Sequence, residues 1–478
     1  MTPTIVIIVI FLYFLLLFGI SILTSEKGEK QSQTFFTANK SSKWYLVAYG
    51  MVGATLSGVT FISVPGMVAK GGWGYLQFMM GNMLGYLVIA YVLIPLFYSK
   101  QFVSIYEYLK DRFGVKASKT GALFFMLSQT IGAAFRLYLA ALVLQIAFFE
   151  AFNIPFAVSV FVIILLIWLY TFQGGIKTIV WTDTLQTTFL LLAAVWTIYT
   201  IGSDLGLTPS SMVQTISESE MSTIFNWDWK SPTFFWKQLL AGMFITISMN
   251  GLDQNIMQKN LTCKSKGEAQ KNVLSFAVVF FLSTVVFLSL GVLLYEYAGY
   301  NDILIPAKAD ELYPTLALNY FGTFTAIVFL LGIIAAAFSS ADSALTALTT
   351  SFCVDFLRLK NGIESNKKRK LVHIGFSLLL FVVIVVFRAV NNDSVVSDVF
   401  KAAGYTYGPL LGLFAYGIFS TNQIDDKKVL VVCLLAPILS FVLNTFSKEL
   451  FFGYQFGFEI LLINAGLTIL GLWFISKK

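Results

Sequence analysis

The sequence Ala335-Ala-Ala-Phe-Ser-Ser-Ala-Asp-Ser343 sits late in a long apolar run. Read as a helix, it puts Ser339, Asp342, Ser343 and Thr346 at i, i+3, i+4 and i+7, close to one face. Hydroxyl and carboxylate oxygens without histidine or thiolate suit a hard cation such as Na⁺ better than a transition metal. An ionised Asp342 at membrane depth is costly unless a cation or partner neutralises it. A second carboxylate, Asp183 in Trp181-Thr-Asp-Thr-Leu-Gln186, lies about two turns into another apolar run, at a compatible depth. The two carboxylates near several hydroxyls read as an inner cation site or a proton-binding pair, with a helix cap or interfacial role as the structural alternative. A third stretch, Gly50-Met-Val-Gly-Ala-Thr-Leu-Ser-Gly-Val-Thr-Phe-Ile-Ser-Val-Pro-Gly66, combines glycines and a proline with Thr55, Ser57, Thr60 and Ser63. Glycine and proline weaken a helix, and the hydroxyls offer replacement partners, so an interrupted helix with free carbonyls is expected there. Close packing through small residues would not by itself need the four hydroxyls.

Arg136 is the one basic residue deep inside an apolar run. A guanidinium does not deprotonate, so it needs a carboxylate, a ring of carbonyls or an anionic substrate; ion pairing and substrate binding stay equally open. Asp253 falls near a helix end and reads as an inner gate or cap, and His373 as interfacial. With one histidine in the chain, placed at a helix end, neither a histidine-based triad nor a zinc site elsewhere is supported. No Walker A pattern supports ATP-driven pumping, and no nucleophile–base pair supports an enzyme.

These residues must be positioned by membrane-spanning helices. The 478 residues are 57% hydrophobic and 12% charged, with mean hydropathy +0.78. Apolar runs of about 20 residues, enough to cross the hydrocarbon core as helices, recur from end to end. They predict an all-α polytopic membrane protein of about 13 helices, near 3–23, 44–68, 74–98, 118–149, 155–172, 177–201, 234–257, 271–297, 323–356, 370–390, 396–419, 428–446 and 455–475. The first run lacks a basic n-region and a small-residue cleavage site, and reads as a retained helix rather than a signal peptide. With the N-terminus outside and the C-terminus cytoplasmic, 24 of the 32 Lys and Arg, Lys259 among them, fall on the inner side. That bias accounts for the net charge of +7, so nucleic-acid binding needs no invocation; the chain's expected surroundings are a lipid bilayer, in the bacterial inner membrane. Cys263, Cys353 and Cys433 form no CxxC spacing and support neither a disulfide framework nor a zinc site.

Four segments carry a resemblance: Gly53-Ala-Thr-Leu-Ser-Gly-Val-Thr-Phe61, Tyr170-Thr-Phe-Gln-Gly-Gly-Ile-Lys-Thr-Ile-Val-Trp-Thr-Asp183, Asp253-Gln-Asn-Ile-Met-Gln-Lys259 and Ala335–Ser343. They resemble the sodium:solute symporters, which include bacterial sodium/galactose, sodium/sialic acid and sodium/proline transporters. The resemblance implies a leucine-transporter-like fold in a single transport domain over 1–478: a leading helix and loop (1–43), inverted five-helix repeats (44–201 and 234–419) and two trailing helices (428–478). It implies Na⁺-coupled symport of a small organic solute (sugar, sialic acid, carboxylate or amino acid) by alternating access, the chain working as a monomer. Carried over by position, the principal Na⁺ site is Gly53, Leu56, Ala336, Ser339 and Ser340. A second site, present in some members, maps to Asp183, Ser339, Asp342 and Ser343. Substrate positions map to Thr55, Ser57, Thr60, Asn82, Thr246, Met249, Tyr405 and Tyr407. The sialic acid transporter's carboxylate-binding arginine aligns with Gly132, one turn from Arg136, which could serve an anionic solute; the sugar transporter's gating tyrosine aligns with Met249. A proton-coupled symporter using Asp183 or Asp342 is the alternative, and a transporter-fold sensor would need a signalling domain not found before Lys478.

Overall fold

The computed structural model describes residues 3–24, 40–100, 102, 104–359, 363–390 and 395–477, and of residues 3, 6, 24, 170–177, 363–366, 390 and 396 the backbone alone. Lys27, Lys30, Lys360 and Lys478, four of the 24 inner-side charges, lie outside the described residues, as does the side chain of Lys177. The chain is almost wholly helical. Among the described residues six helices are long and apolar enough to cross a membrane, or seven if one bent pair is a single span. Shorter apolar helices such as Val429–Thr445 and Ile460–Phe474 add to these, so the expected count of thirteen is not reached on length and composition alone. Large apolar side chains are exposed on the outer helix faces, for example Phe11, Leu12 and Leu15 on α1 (Pro3–Thr24), the pattern of a lipid-facing surface.

The interruption expected in the second helix is present. α2 (Trp44–Thr55) and α3 (Gly58–Gly71) meet at 57°. The Leu56 N–H still reaches back to the Val52 carbonyl (2.7 Å), but the Ser57 N–H turns to the Thr55 carbonyl (2.8 Å), and the helical ladder stops. α4 (Tyr75–Lys100) follows, then α5 (Val115–Ala147). α6 runs from Phe156 to Asp204 without the break expected between 172 and 177. Gly174-Gly175 weakens a helix by about 1 kcal/mol per glycine, and without a proline that does not end it. At about 1.5 Å per residue, α6 is more than twice as long as a 30 Å hydrocarbon core is thick.

A second interruption was not foreseen. α7 (Phe235–Thr246) passes into a π-turn (Ile247–Gly251), Leu252 leaves helical geometry, and α8 (Gln254–Asn260) starts afresh. Asp253 caps α8, its carboxylate accepting from the Asn255 N–H (2.8 Å). α9 (Lys266–Tyr300), α10 (Gly322–Ser351) and α11 (Ile363–Val390) complete the core bundle. α12 (Val395–Thr406) and α13 (Gly408–Phe419) are parted at Tyr407, and α14 (Val429–Thr445) and α15 (Ile460–Phe474) follow.

Small residues set how closely these helices approach. A side chain at Gly81 of α4 would run into the Leu239 carbonyl of α7, and one at Gly242 into the Phe78 carbonyl, so the two backbones are in direct contact. α2 lies on α6 in the same manner: a Cβ on Gly50 would stand 3.1 Å from Asp183 Cβ, and one on Gly53 would stand 3.1 Å from Thr187 Cα. The interrupted helix is thereby held against the segment that carries Asp183.

Candidate functional site

At the α2–α3 break, the carbonyls of Gly53 and Leu56 accept no hydrogen bond from any described residue. Both residues are buried. Buried carbonyls are rarely left unpaired, and two in one break mark a place where something else supplies the positive end. The backbone there is pinned from behind: the Gly53 N–H donates to Thr187 Oγ1 (2.9 Å), whose own hydroxyl lies against the Asp183 and Tyr49 carbonyls (2.7 and 3.1 Å). α10 packs on both α2 and α6 and is buried throughout its serine-rich part. Ser340 turns its hydroxyl back on the Ala336 and Ala337 carbonyls (3.2 and 3.0 Å). Ser339 donates to Asp183 Oδ1 (2.6 Å).

Asp183, Ser339, Asp342 and Ser343 come together, around a residue that sequence reading placed elsewhere. Lys259, counted among inner-loop charges, is 1% exposed, and its ammonium donates to Asp183 Oδ2 (2.6 Å) and Ser343 Oγ (2.9 Å). Ser343 in turn donates to Asp342 Oδ1 (3.2 Å). Positive-inside counting fails here because α8 begins anew after the second break, carrying Lys259 back into the protein. The available signal was the uncharged polar run Gln254-Asn-Ile-Met-Gln258 leading to it, too polar for lipid and too buried for a loop. Among the described residues no group of three or more His, Cys, Asp or Glu could hold a metal ion.

On the other side of the α2–α3 break is a cavity of about 720 Å³, counting the part open to solvent. Thr55, Ser57, Thr60, Asn82, Arg136, Thr246 and Met249 all line it. Asn82 places its amide within 2.8 Å of both Thr246 Oγ1 and the Gly242 carbonyl, tying α4 to α7 at the cavity wall. Thr55 Oγ1 and Gln129 Nε2 are buried at the wall without a partner among the described residues. Arg136 is half-buried; its guanidinium makes no direct ion pair among the described residues, its field reaches the Asp253 carboxylate on the same cavity wall, and it bends over Gly132, where Nη2 is 3.9 Å from the position of an added Cβ. Tyr75, Phe78, Phe400 and Phe280 supply the apolar part of the wall.

Tyr405 and Tyr407 are not part of that wall. Tyr405 points to α14, its hydroxyl accepting from Asn444 Nδ2 (2.8 Å). Tyr407 is buried and donates to Asp253 Oδ2, so it touches the cavity only through that carboxylate. Asp253 itself, with Asn250 and Asn255, lines the cavity from the second break, where the cap expected of it is also realised. The Asn250-Gly-x-Asp253 sequence, a turn pattern inside an apolar run, was the readable sign of that break. His373 is buried within the protein, with Nδ1 3.0 Å from Thr349 Oγ1.

Two interrupted helices meeting at a polar cavity, with unpaired carbonyls at one break, define a secondary active transporter. The profile of the Sodium:solute symporter family matches residues 35–424. The chain belongs to that family: it is a Na⁺-coupled symporter of a small organic solute and not an enzyme. It is 27% identical to the sodium/sialic acid symporter NanT of Aliivibrio fischeri, over 86% of this chain and 83% of that one. It is 24% identical to the sodium/glucose cotransporter of Vibrio parahaemolyticus, over 91% and 84%, and 24% identical to the human sodium/iodide cotransporter, over 84% and 63%. Among solved structures, the substrate-bound outward-open state of a Na⁺-coupled sialic acid symporter superposes with a TM-score of 0.82 at 23% identity, covering 98% of each chain. The nucleobase-cation-symport transporter Mhp1 in a closed conformation superposes with a TM-score of 0.57 at 13% identity, covering 91% and 92%.

Proposed function

We propose that the chain couples Na⁺, held at the α2–α3 break, to uptake of a small anionic solute held in the adjoining cavity. The main cation site consists of the Gly53, Leu56 and Ala336 carbonyls with the Ser339 and Ser340 hydroxyls. The two unpaired carbonyls carry this assignment, because buried acceptors in a hard-oxygen setting suit an alkali ion. Thr55, Ser57, Thr60, Asn82, Thr246 and Met249 shape the solute cavity, and Arg136 supplies its charge. A guanidinium without a direct ion pair, bent over Gly132 into a polar cavity it shares with Asp253, can take a carboxylate or another anion. Of the solutes in the relatives' names, sialic acid and iodide are anionic and glucose is neutral.

The membrane arrangement belongs to the same proposal. Thirteen crossings require the broken pairs Trp44–Gly71, 235–260 and 395–419 each to count once and the chain to reverse near Gly174-Gly175, because a continuous α6 crosses only once. The inner-side excess of Lys and Arg then puts the N-terminus outside and the C-terminus in the cytoplasm of a bacterial inner membrane. Residues 44–201 and 234–419 form the two repeats of a domain that works as a monomer, and the broken helix stands first in each. Na⁺ binding completes the solute site, and closure followed by inward opening releases both into low Na⁺.

The test is thermal stabilisation of the purified chain by sialic acid, monocarboxylates, iodide and glucose, with and without Na⁺, because bound ligand stabilises by mass action. Anions are expected to stabilise only when Na⁺ is present, and Ser339→Ala or Ser340→Ala should raise the Na⁺ requirement sharply. Stabilisation by glucose alone would overturn the anionic assignment; an unchanged Na⁺ requirement in both variants would overturn the cation site.

A further inference from the structure

We propose that Lys259 is a built-in cation that fills the second cation site of this symporter, so that a single Na⁺ accompanies each solute. The inference rests on the cation reading above and extends it to the neighbouring site. The four residues that the resemblance assigns to a second Na⁺, Asp183, Ser339, Asp342 and Ser343, form a buried cluster, and the Lys259 ammonium is inside it. It makes charge-assisted bonds of 2.6 Å to Asp183 Oδ2 and 2.9 Å to Ser343 Oγ. The first is shorter than ordinary N–H···O bonds of about 2.7–3.2 Å, and the second is of ordinary length. An ammonium carries the same unit charge as Na⁺ and, as a donor of three hydrogens, engages the same oxygen acceptors.

The remaining groups are arranged to suit that ammonium. Ser339 turns its hydroxyl proton to Asp183 Oδ1 (2.6 Å), and Ser343 turns its own to Asp342 Oδ1 (3.2 Å). The Ser343 oxygen thereby keeps its lone pairs for Lys259. Asp183, Ser339, Asp342 and Ser343 are each at most 2% exposed. Asp183 and Asp342 would be costly in such a place without a cation. A freely exchanging ion must be drawn from solution in every cycle, whereas one tethered to α8 is always present. Two carboxylates face one ammonium, so charge balance alone would admit Na⁺; what stands against it is that Lys259 already holds Asp183 Oδ2 and Ser343 Oγ, two of the oxygens the ion would need. The second site therefore does not fit Na⁺ in this chain as long as Lys259 occupies it. The charge relation is that of a resident counter-ion, with the structural consequence that Lys259 also ties α8 to α6 and α10.

The test is equilibrium dialysis of the purified full-length chain against ²²Na⁺, with potassium as the background cation, so that no solute need be identified. The wild type is expected to bind one Na⁺ per chain with a Hill coefficient of one. Lys259→Ala should bind two, with a Hill coefficient rising towards two. Lys259→Arg, which keeps the charge, should return one, as should Lys259→Ala combined with Asp183→Asn. Two Na⁺ per wild-type chain would overturn the proposal without any variant. One Na⁺ in a monodisperse Lys259→Ala protein would overturn it as well. No Na⁺ in the wild type with one gained in Lys259→Ala would sink the main cation site and leave the role of Lys259 standing.

Discussion

Gly53→Ala tests whether the α2–α3 break binds Na⁺, because this glycine joins the packing of α2 to a proposed ligand carbonyl. An added Cβ would stand 3.1 Å from both Cα and Cβ of Thr187 and closer still to its hydroxyl. The Thr187 hydroxyl cannot simply turn away, since it receives the Gly53 N–H at 2.9 Å and lies on the Asp183 carbonyl at 2.7 Å. Relief therefore requires α2 to move off α6 by some tenths of an ångström. Overpacking of this kind costs about 1–3 kcal/mol. In the ion-free protein α2 can relax outward, but the Gly53 carbonyl must return to reach the ion. The strain is then subtracted from Na⁺ binding, and about 1–3 kcal/mol corresponds to a roughly 5- to 150-fold weaker affinity. The measurement is the Na⁺ concentration that half-stabilises the purified chain in a thermal-shift titration. Gly466→Ala is the control, because a Cβ there meets nothing within 4 Å. If Gly53→Ala folds and binds Na⁺ within twofold of the wild type, the carbonyl at this break is not a ligand, and the reasoning from unpaired carbonyls fails.

Two further outcomes follow from other parts of the molecule. Arg136→Gln keeps a polar, hydrogen-bonding side chain but shortens it and loses the charge. Losing one partner of a charged contact costs about 2–5 kcal/mol when it is fully buried, so the lower end applies to this half-buried group, and carboxylate affinity should fall roughly 30-fold. Isothermal titration with a stabilising carboxylate checks this; an unchanged affinity would assign Arg136 a purely structural role. Asp310 in the Ala309–Glu311 turn accepts the Val395 N–H at 3.1 Å, and burial pushes its carboxyl above the ordinary value of 3.8. The folded state thus holds this proton more tightly than the unfolded chain does. Its stabilising share is fully present below the unfolded value and is lost as pH rises through the folded one. Asp310→Asn, which keeps an acceptor for Val395, should flatten the pH dependence of thermal stability above pH 4 and raise stability at pH 7. A steeper profile in the variant would refute this.

The interrupted second helix was legible because its cause is local: glycine, proline and hydroxyl residues in one apolar run leave few ways to satisfy the backbone. The residues that line the cavity from α2, α3, α4 and α7 were reached through resemblance, and they converge because the two breaks face one space. Other features depend on packing between distant elements and leave a weaker trace. Tyr405 and Tyr407 are two residues apart, yet the α12–α13 break sends one to α14 and the other to Asp253. Lys259 looks like any lysine at a helix end, and only the fresh start of α8 after Leu252 turns it inward. Its partners Asp183 and Ser343 lie 76 and 84 positions away, beyond any local pattern.

α8 is only seven residues long, and its two ends do different things. At its start, the capping Asp253 forms part of the solute cavity and receives the Tyr407 hydroxyl from the α12–α13 break. Near its end, Lys259 is held by Asp183 and Ser343. Six residues of separation at about 1.5 Å each place these groups roughly 9 Å apart on one rigid element. Asp183 also accepts from Ser339, a proposed ligand of the main Na⁺ site, so the path from cavity to ion runs Asp253, α8, Lys259, Asp183, Ser339. A displacement of α8 that opens the cavity must pull on the Lys259 ammonium, and through Asp183 it must alter how Ser339 presents its oxygen. That contiguous chain of short, charge-assisted contacts is a physical basis for coupling. It also requires the coupling to be reciprocal: whatever solute binding does to Na⁺ affinity, Na⁺ must do to the solute by the same factor.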